Sequence, residues 1–415
     1  MTWIKLALRN LFRNYRRSLF TILAICLGFA AVNVLGGFTA YIFTNLRDSF
    51  IYLQANGHLT VFKSGFLKEG KLDPTRYVLD ETEAKLIEEI ARRHSEVLVV
   101  TPQLNISGLL SNGRVSTIFL AAGRVPSDVR IITSHARGML DSLQQFTGKQ
   151  LEDDVIYGVG LSRGLAEQFG FDIGSNPIVM ASTVSGQVNA LDTQVFQLFD
   201  SPNEALDDKL MLVPLKFAQA LYDTSSVDRI NILLDRTDLT ETMRARLAQD
   251  FANAGLLVEI KTWNELNPFY TKVRRMFEVI FLFTFLIVLA IVVMSVVNTV
   301  SMAIMERTRE IGTLRALGLK RHGIVRLFAM ESMLLGIVGS VLGIILTLVV
   351  WLAIAGFEPT WVPPQIARRV PLEVYLVPEY MTFSLISLVV LSLLATSLPA
   401  RKAARMEIVS ALAHA

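Results

Sequence analysis

Two apolar runs, residues 277–304 and 327–356, flank a short stretch dense in charge, and this arrangement constrains the fold more than anything else in the chain. Each run exceeds the roughly 20 residues that a helix rising 1.5 Å per residue needs to cross a bilayer core. The stretch between them includes Glu306, Arg307, Arg309, Glu310 and Arg315, and residues 305–326 together hold six basic side chains against two acidic ones. A short charged segment joining two spans must lie at a membrane face, and an excess of Lys and Arg marks the cytoplasmic face.

Hydrophobic residues make up 52% of the chain and charged residues 19%, below the soluble norm of roughly 25% charged. The apolar excess falls in four segments, 18–43, 277–304, 327–356 and 380–399, whereas 44–270 has ordinary globular composition. The expected fold is therefore four transmembrane helices with one large α+β extracytoplasmic domain. In order, the chain reads as an N-terminal amphipathic helix (1–17), a first span (18–43), the domain (44–270), and a stalk with the second span (271–304). A connector (305–326), a third span (327–356), an outer loop (357–379), a fourth span (380–399) and a tail (400–415) complete it.

Orientation follows from the basic residues. Lys5, Arg9, Arg13, Arg16 and Arg17 recur every three or four positions with no acid among them, and Trp3, Leu6, Leu11, Phe12 and Tyr15 fill the other faces. That pattern suits a helix lying on the anionic lipids of an inner leaflet. The alternative, a cleaved signal peptide, is disfavoured because the apolar run Leu19–Phe43 outlasts the usual h-region of about 7–15 residues. With the N-terminus inside, 44–270 lies outside, the connector inside, and the proline-rich loop (Pro359, Pro363, Pro364, Pro371, Pro378) outside. The tail carrying Arg401, Lys402 and Arg405 is inside again. The net charge of +3 points to no nucleic-acid partner, since the basic residues cluster at membrane edges.

The domain holds no cysteine, the single Cys26 lying in the first span, so its core must hold it together. Alternation predicts strands at His58–Phe62, Pro177–Ala181, Arg229–Leu234 and Val258–Ile260, and periodicity predicts helices at Glu81–Arg93, Leu161–Phe169 and Leu239–Ala254. Asn105–Leu110 and Val115–Ala121 read as a hairpin whose Asn112-Gly113 accepts the positive φ of a tight turn.

No catalytic or metal-binding pattern is expected, neither a nucleophile elbow nor an H-E-x-x-H run. Gly65 to Leu72 has the spacing of a phosphate loop up to its last position, but Leu72 stands where Mg²⁺ needs a hydroxyl and Asp73-Pro74 follows. The histidines at 58, 94, 135, 322 and 414 lack metal-ligand spacing. Asp153-Asp154 and Asp207-Asp208 are adjacent, so in extended chain they point apart. The chain is expected to be non-enzymatic, with no bound cofactor.

Within the spans, Ser295, Asn298, Thr299 and Met302 recur on one helical face, and Gly336, Gly339 and Gly343 form a small-residue stripe. Such features serve helix packing or line a path for cargo. Glu331 either snorkels or partners an arginine of the connector. Glu306 to Leu317 reads as one short helix with Ile311, Leu314 and Leu317 on a face suited to docking. Its acids stand near the N-terminus, Arg315 near the C-terminus, and Gly318 ends it.

The run from Glu306 to Gly318 resembles the signature of the FtsX-like permease family, the branch of ABC transporters that includes MacB and the lipoprotein-releasing LolC/LolE subunits. Asn298, eight residues before Glu306, fits the family, as do Glu331 and the glycine stripe. Val155-Ile156-Tyr157-Gly158, Leu165-Ala166, Phe169-Gly170 and Ile173-Gly174 are similar to the MacB periplasmic core domain. Asn189-Ala190-Leu191-Asp192 is similar to lipoprotein-release permeases, and Pro399 to Arg405 matches the family's end. Ile408 departs from it, standing where many members have proline. The resemblance implies a bacterial inner-membrane protein whose connector, Glu306 to Gly318, docks on a separate ABC ATPase. Two ATPase copies would bind the ATP and Mg²⁺, alongside a second permease copy or paralogue and a periplasmic carrier or adaptor. It implies transmission of motion to the outer domain, for lipoprotein release or export of an amphipathic substrate. The alternative is a signalling permease that regulates a cell-wall hydrolase without moving cargo.

Overall fold

The computed structural model describes Arg9 and residues 15–70, 74–136, 146–201, 204–362 and 369–407. Most of the N-terminal amphipathic helix, Lys71 to Asp73, Pro363, Pro364 and Ile408 lie outside the described residues. The chain divides into two compact units: Met1–Phe43, Val273–Pro359 and Leu372–Ala415 form one, and Thr44–Lys272 with Thr360–Pro371 form the other.

The first unit is built on four long apolar helices, Tyr15–Asp48, Pro268–Glu306, Arg321–Phe357 and Pro378–Ala404, each long and apolar enough to cross a bilayer. Their contact surfaces are lined by Ile25, Phe29, Val288, Val292, Val296, Phe328 and Leu388. The glycine stripe sets how closely the helices approach. A Cβ on Gly339 would lie 2.7 Å from Ile25 Cβ, one on Gly343 2.7 Å from Phe29 Cβ, and one on Gly336 3.2 Å from Ser392 Oγ. The third helix therefore packs on the first and the fourth through backbone, as small residues permit.

The second unit is an α+β domain. Its strands are β1 (Leu59–Lys63), β2 (Val97–Ser111), β3 (Ser116–Arg124), β4 (Phe146–Gly148), β5 (Gly158–Ser162) and β6 (Ile178–Ser182). They continue as β7 (Val188–Asp192), β8 (Gln194–Phe199), β9 (Leu210–Pro214), β10 (Arg229–Leu234) and β11 (Val258–Thr262). The sheet order is β11-β1-β10-β2-β3-β9-β5-β8-β4, with β6 pairing β2 and β7. Pairs β3–β9 and β5–β8 are parallel and the others antiparallel. Helices Glu81–Ala91, Leu215–Tyr222 and Thr240–Asn253 add Ile87, Phe217, Leu221, Leu247 and Phe251 to the core with strand residues Val61, Phe119, Leu161 and Ile232. The helix at Glu81 opens with a capping box: Glu83 N–H donates to Asp80 Oδ1 at 2.8 Å, and Asp80 N–H to Glu83 Oε2 at 3.0 Å.

Several elements differ from the sequence expectation. The expected β2–β3 hairpin is present, but each of its strands is longer, Val97–Ser111 and Ser116–Arg124, and Ser111 pairs with Ser116 across a four-residue loop. Gly113 alone takes the positive φ, +84°, while Asn112 Oδ1 accepts from the N–H groups of Arg114 and Val115 at 3.1 and 3.0 Å. Leu161 and Ser162 belong to β5, and the helix expected from Leu161 begins at Arg163. Within the outer loop, Thr360–Trp361 pairs with Val370–Pro371 as a small antiparallel ribbon.

Candidate functional site

The connector is two pieces, not one helix from Glu306. The second span runs through to Glu306, Arg307 leaves helical geometry at φ −111° and ψ 16°, and a separate helix covers Thr308–Ala316. At the break the hydroxyl of Thr308 lies 3.0 Å from both the Ile304 and Met305 carbonyls, so it can donate to either of these last carbonyls of the span. At the far end Gly318 adopts φ +96° and closes a Schellman motif. Its N–H donates to Arg315 O at 3.1 Å, and Leu319 N–H donates to Leu314 O at 3.0 Å. Glu310 in the first turn and Arg315 in the last suit the helix dipole.

Three polar contacts tie this helix and its flanks to the rest of the bundle. Arg17 of the first span meets Glu306 at 2.9 Å, with both side chains partly exposed. Arg307 Nη1 donates to Glu331 Oε1 of the third span at 3.1 Å, with both side chains about nine-tenths buried. Arg315 Nη1 donates to the carbonyl of Met406, just beyond the fourth span. Of the two readings of Glu331, the geometry selects partnership with an arginine, Arg307.

The expected docking trio splits. Ile311 is only 4% exposed and packs inside the bundle, whereas Leu314 is 40% and Leu317 81% exposed. A three-residue step falls about 60° short of a full turn, so positions 311, 314 and 317 spiral around the helix. Arg309 and Glu310 are exposed with the two leucines.

The polar face of the second span divides in the same way. Ser295 and Thr299, one turn apart, both meet the buried Thr21 of the first span, at 3.3 and 2.6 Å between hydroxyl oxygens. Asn298 and Met302 are exposed on the outside of the bundle instead. The glycines Gly336, Gly339 and Gly343 face neighbouring helices, which is the packing reading of the stripe.

The expectation that the chain holds no nucleophile-elbow sequence is incorrect, since one contiguous match to that spacing is present. Gly160-Leu161-Ser162-Arg163-Gly164 has the form of a nucleophile elbow and sits at a strand-to-helix turn. Ser162, however, is fully buried with unstrained φ −64° and ψ 150°, and its hydroxyl binds the carbonyls of Asp207 and Leu210 at 2.6 and 2.9 Å. It locks β5 to the approach of β9. The domain's polar interior is likewise structural. Asn231 Nδ2 and Arg124 Nε both donate to Gln103 Oε1, at 2.8 and 2.9 Å, and Thr60 Oγ1 donates to Asn231 Oδ1 at 3.1 Å.

Comparison with known proteins agrees with the residues that carry the resemblance. Residues 282–408 match the FtsX-like permease C-terminal model, and residues 18–250, more than half of the chain, match the MacB-like periplasmic core domain. A relative from Xylella fastidiosa strain 9a5c, the lipoprotein-releasing system transmembrane protein LolC, is 24% identical over 281 residues, 62% of this chain and 65% of that protein. The macrolide export ATP-binding/permease protein MacB of Escherichia coli K12 is 32% identical over 156 residues, 37% of this chain and 22% of that protein. The chain thus spans less than two thirds of each of these relatives. Among solved structures, the periplasmic region of MacB from Actinobacillus actinomycetemcomitans aligns with 51% of this chain and 91% of that one, at 13% identity and a TM-score of 0.36. With four candidate spans among the described residues, a charged connector after the second, and both models matched, the chain belongs to the FtsX-like permeases that carry a MacB-like periplasmic core domain.

Proposed function

We propose that this protein is the permease subunit of an ABC transporter driven by a separate ATPase, with Thr308–Ala316 as the helix that docks on the motor. The observation that carries this reading is the connector itself. It is held to the bundle at three points yet leaves Leu314 and Leu317 uncovered beside Arg309 and Glu310. An apolar pair rimmed by charge, on a short rigid helix, suits a protein groove. Two ATPase copies would hold the ATP and Mg²⁺. A second permease, identical or paralogous, is supported by Asn298, a polar side chain exposed on the outside of the span where lipid is a costly neighbour, unlike Ser295 and Thr299, which meet Thr21. The names of the relatives favour an amphipathic cargo, a lipoprotein or an exported small molecule, with the domain 44–272 facing the periplasm and both termini in the cytoplasm.

Replacing the two exposed leucines tests the docking face. Leu314→Asp and Leu317→Asp in the full chain should insert and fold normally but lose co-purification with the co-expressed ATPase by about tenfold or more, as loss of an interface anchor does. Undiminished ATPase recovery in the double variant would refute the reading.

A further inference from the structure

We infer that the buried Arg307–Glu331 pair is the pivot through which displacement of the connector reaches the third and fourth spans; this rests on the motor-docking reading given above. The second span ends one residue before Arg307, whose backbone is not helical, so the connector is joined to that span by a bend rather than by continuous helix. A bend alone transmits little torque. Of the contacts that hold the connector, the buried one is the guanidinium of Arg307, which turns inward to the carboxylate of Glu331 at 3.1 Å with each side chain about nine-tenths buried, whereas the contact of Arg315 with the Met406 carbonyl is only part-buried. The neighbouring residue on the third span, Ser332, is fully buried and accepts a hydrogen bond from Thr396 of the fourth. Residues 331 and 332 therefore form a node joining the connector to one side and the fourth span to the other. The solvated Arg17–Glu306 pair makes a weaker hold, since exposed ion pairs contribute little. A buried pair is different, because removing one member strands a charge.

Docking and transmission are consequently separable. The pair is buried whereas the docking leucines are exposed, so Glu331→Gln should leave ATPase binding intact. In the reconstituted complex with the co-expressed ATPase, stimulation of ATP hydrolysis by the permease should fall at least about tenfold, well within the penalty for breaking a buried ion pair. The charge-swapped variant R307E/E331R should restore it. An arm that needs no ATPase reads the geometry directly. Spin labels at Thr313 and Arg401, both exposed, in the Cys26→Ser full chain in nanodiscs, should give one narrow distance distribution in the parent and in the swap, and a broad one in Glu331→Gln. Rescue by the swap separates a lost pivot from a misfolded single variant. A narrow distribution in Glu331→Gln, or a swap as broad as the single change, overturns the pivot. Loss of ATPase recovery by the leucine variants bears only on docking, so failure of the docking reading and failure of the pivot are told apart.

Discussion

At the scale of single residues, burial rather than residue type decides what a polar group does. His58 is fully buried; its Nδ1 accepts from Leu234 N–H at 3.1 Å, and Nε2 lies 3.0 Å from Thr237 Oγ1. That pattern requires the neutral ring, and burial, then the charges of Arg47 and His135, push its pKa from 6.5 down to about 4. Above pH 6.5 the ring is neutral whether the domain is folded or not. Below it the unfolded chain takes up a proton that the folded domain refuses, so stability is lost as pH falls from 6.5 towards 4. The loss is on the order of 3 kcal/mol once complete. Denaturant unfolding followed by the fluorescence of Trp263, with the other tryptophans replaced, should show this slope, and His58→Gln should flatten it. Nothing in the sequence separates His58 from the four other histidines, because its environment is made by strands far along the chain. The same holds for Ser162, whose spacing suggests chemistry and whose burial removes it.

At the scale of elements, length and periodicity make the spans legible, while their contacts are not. The apolar runs predict four helices, and four are present among the described residues, although each helix extends beyond its apolar run. Which face of a span meets which neighbour is a different matter. Apolar residues surround these helices on all sides, so periodicity carries no direction, and only the close approach at Gly339 and Gly343 identifies the first span as the neighbour. Gly339→Ala should therefore destabilise the bundle by about 1–3 kcal/mol, a cost of overpacking that exceeds the helix-propensity gain of about 0.5–1 kcal/mol. Gly356→Ala, where an added Cβ meets nothing within 4 Å, should be neutral or slightly stabilising. Thermal unfolding in the same detergent compares the two. Among the domain strands, β10 was legible from its apolar run, whereas β4, β7, β8 and β9 were not. β4 is three residues long, and β7 reads Val-Asn-Ala-Leu-Asp, too polar to stand out without its partner β6.

For the whole molecule, the order of spans along the chain predicts the sides on which its segments lie. In a Cys26→Ser background, a cysteine at the exposed Asn112 of the β2–β3 loop should react with a membrane-impermeant reagent in intact spheroplasts. One at the exposed Thr313 of the connector should react only after lysis. The opposite labelling would invert the proposed topology. What the sequence alone determined was the number of spans, the inserted α+β domain, the charged connector and the family. Each of these rests on local composition, span length or a contiguous motif, which neighbours in the chain carry without knowing the fold. Only the tertiary structure decided that Arg307 turns inward while Leu314 and Leu317 stay outside, and that the connector is anchored by residues 289, 24 and 91 positions away. Burial and pairing are properties of the packed bundle, and a charge in a sequence does not record which distant helix will enclose it.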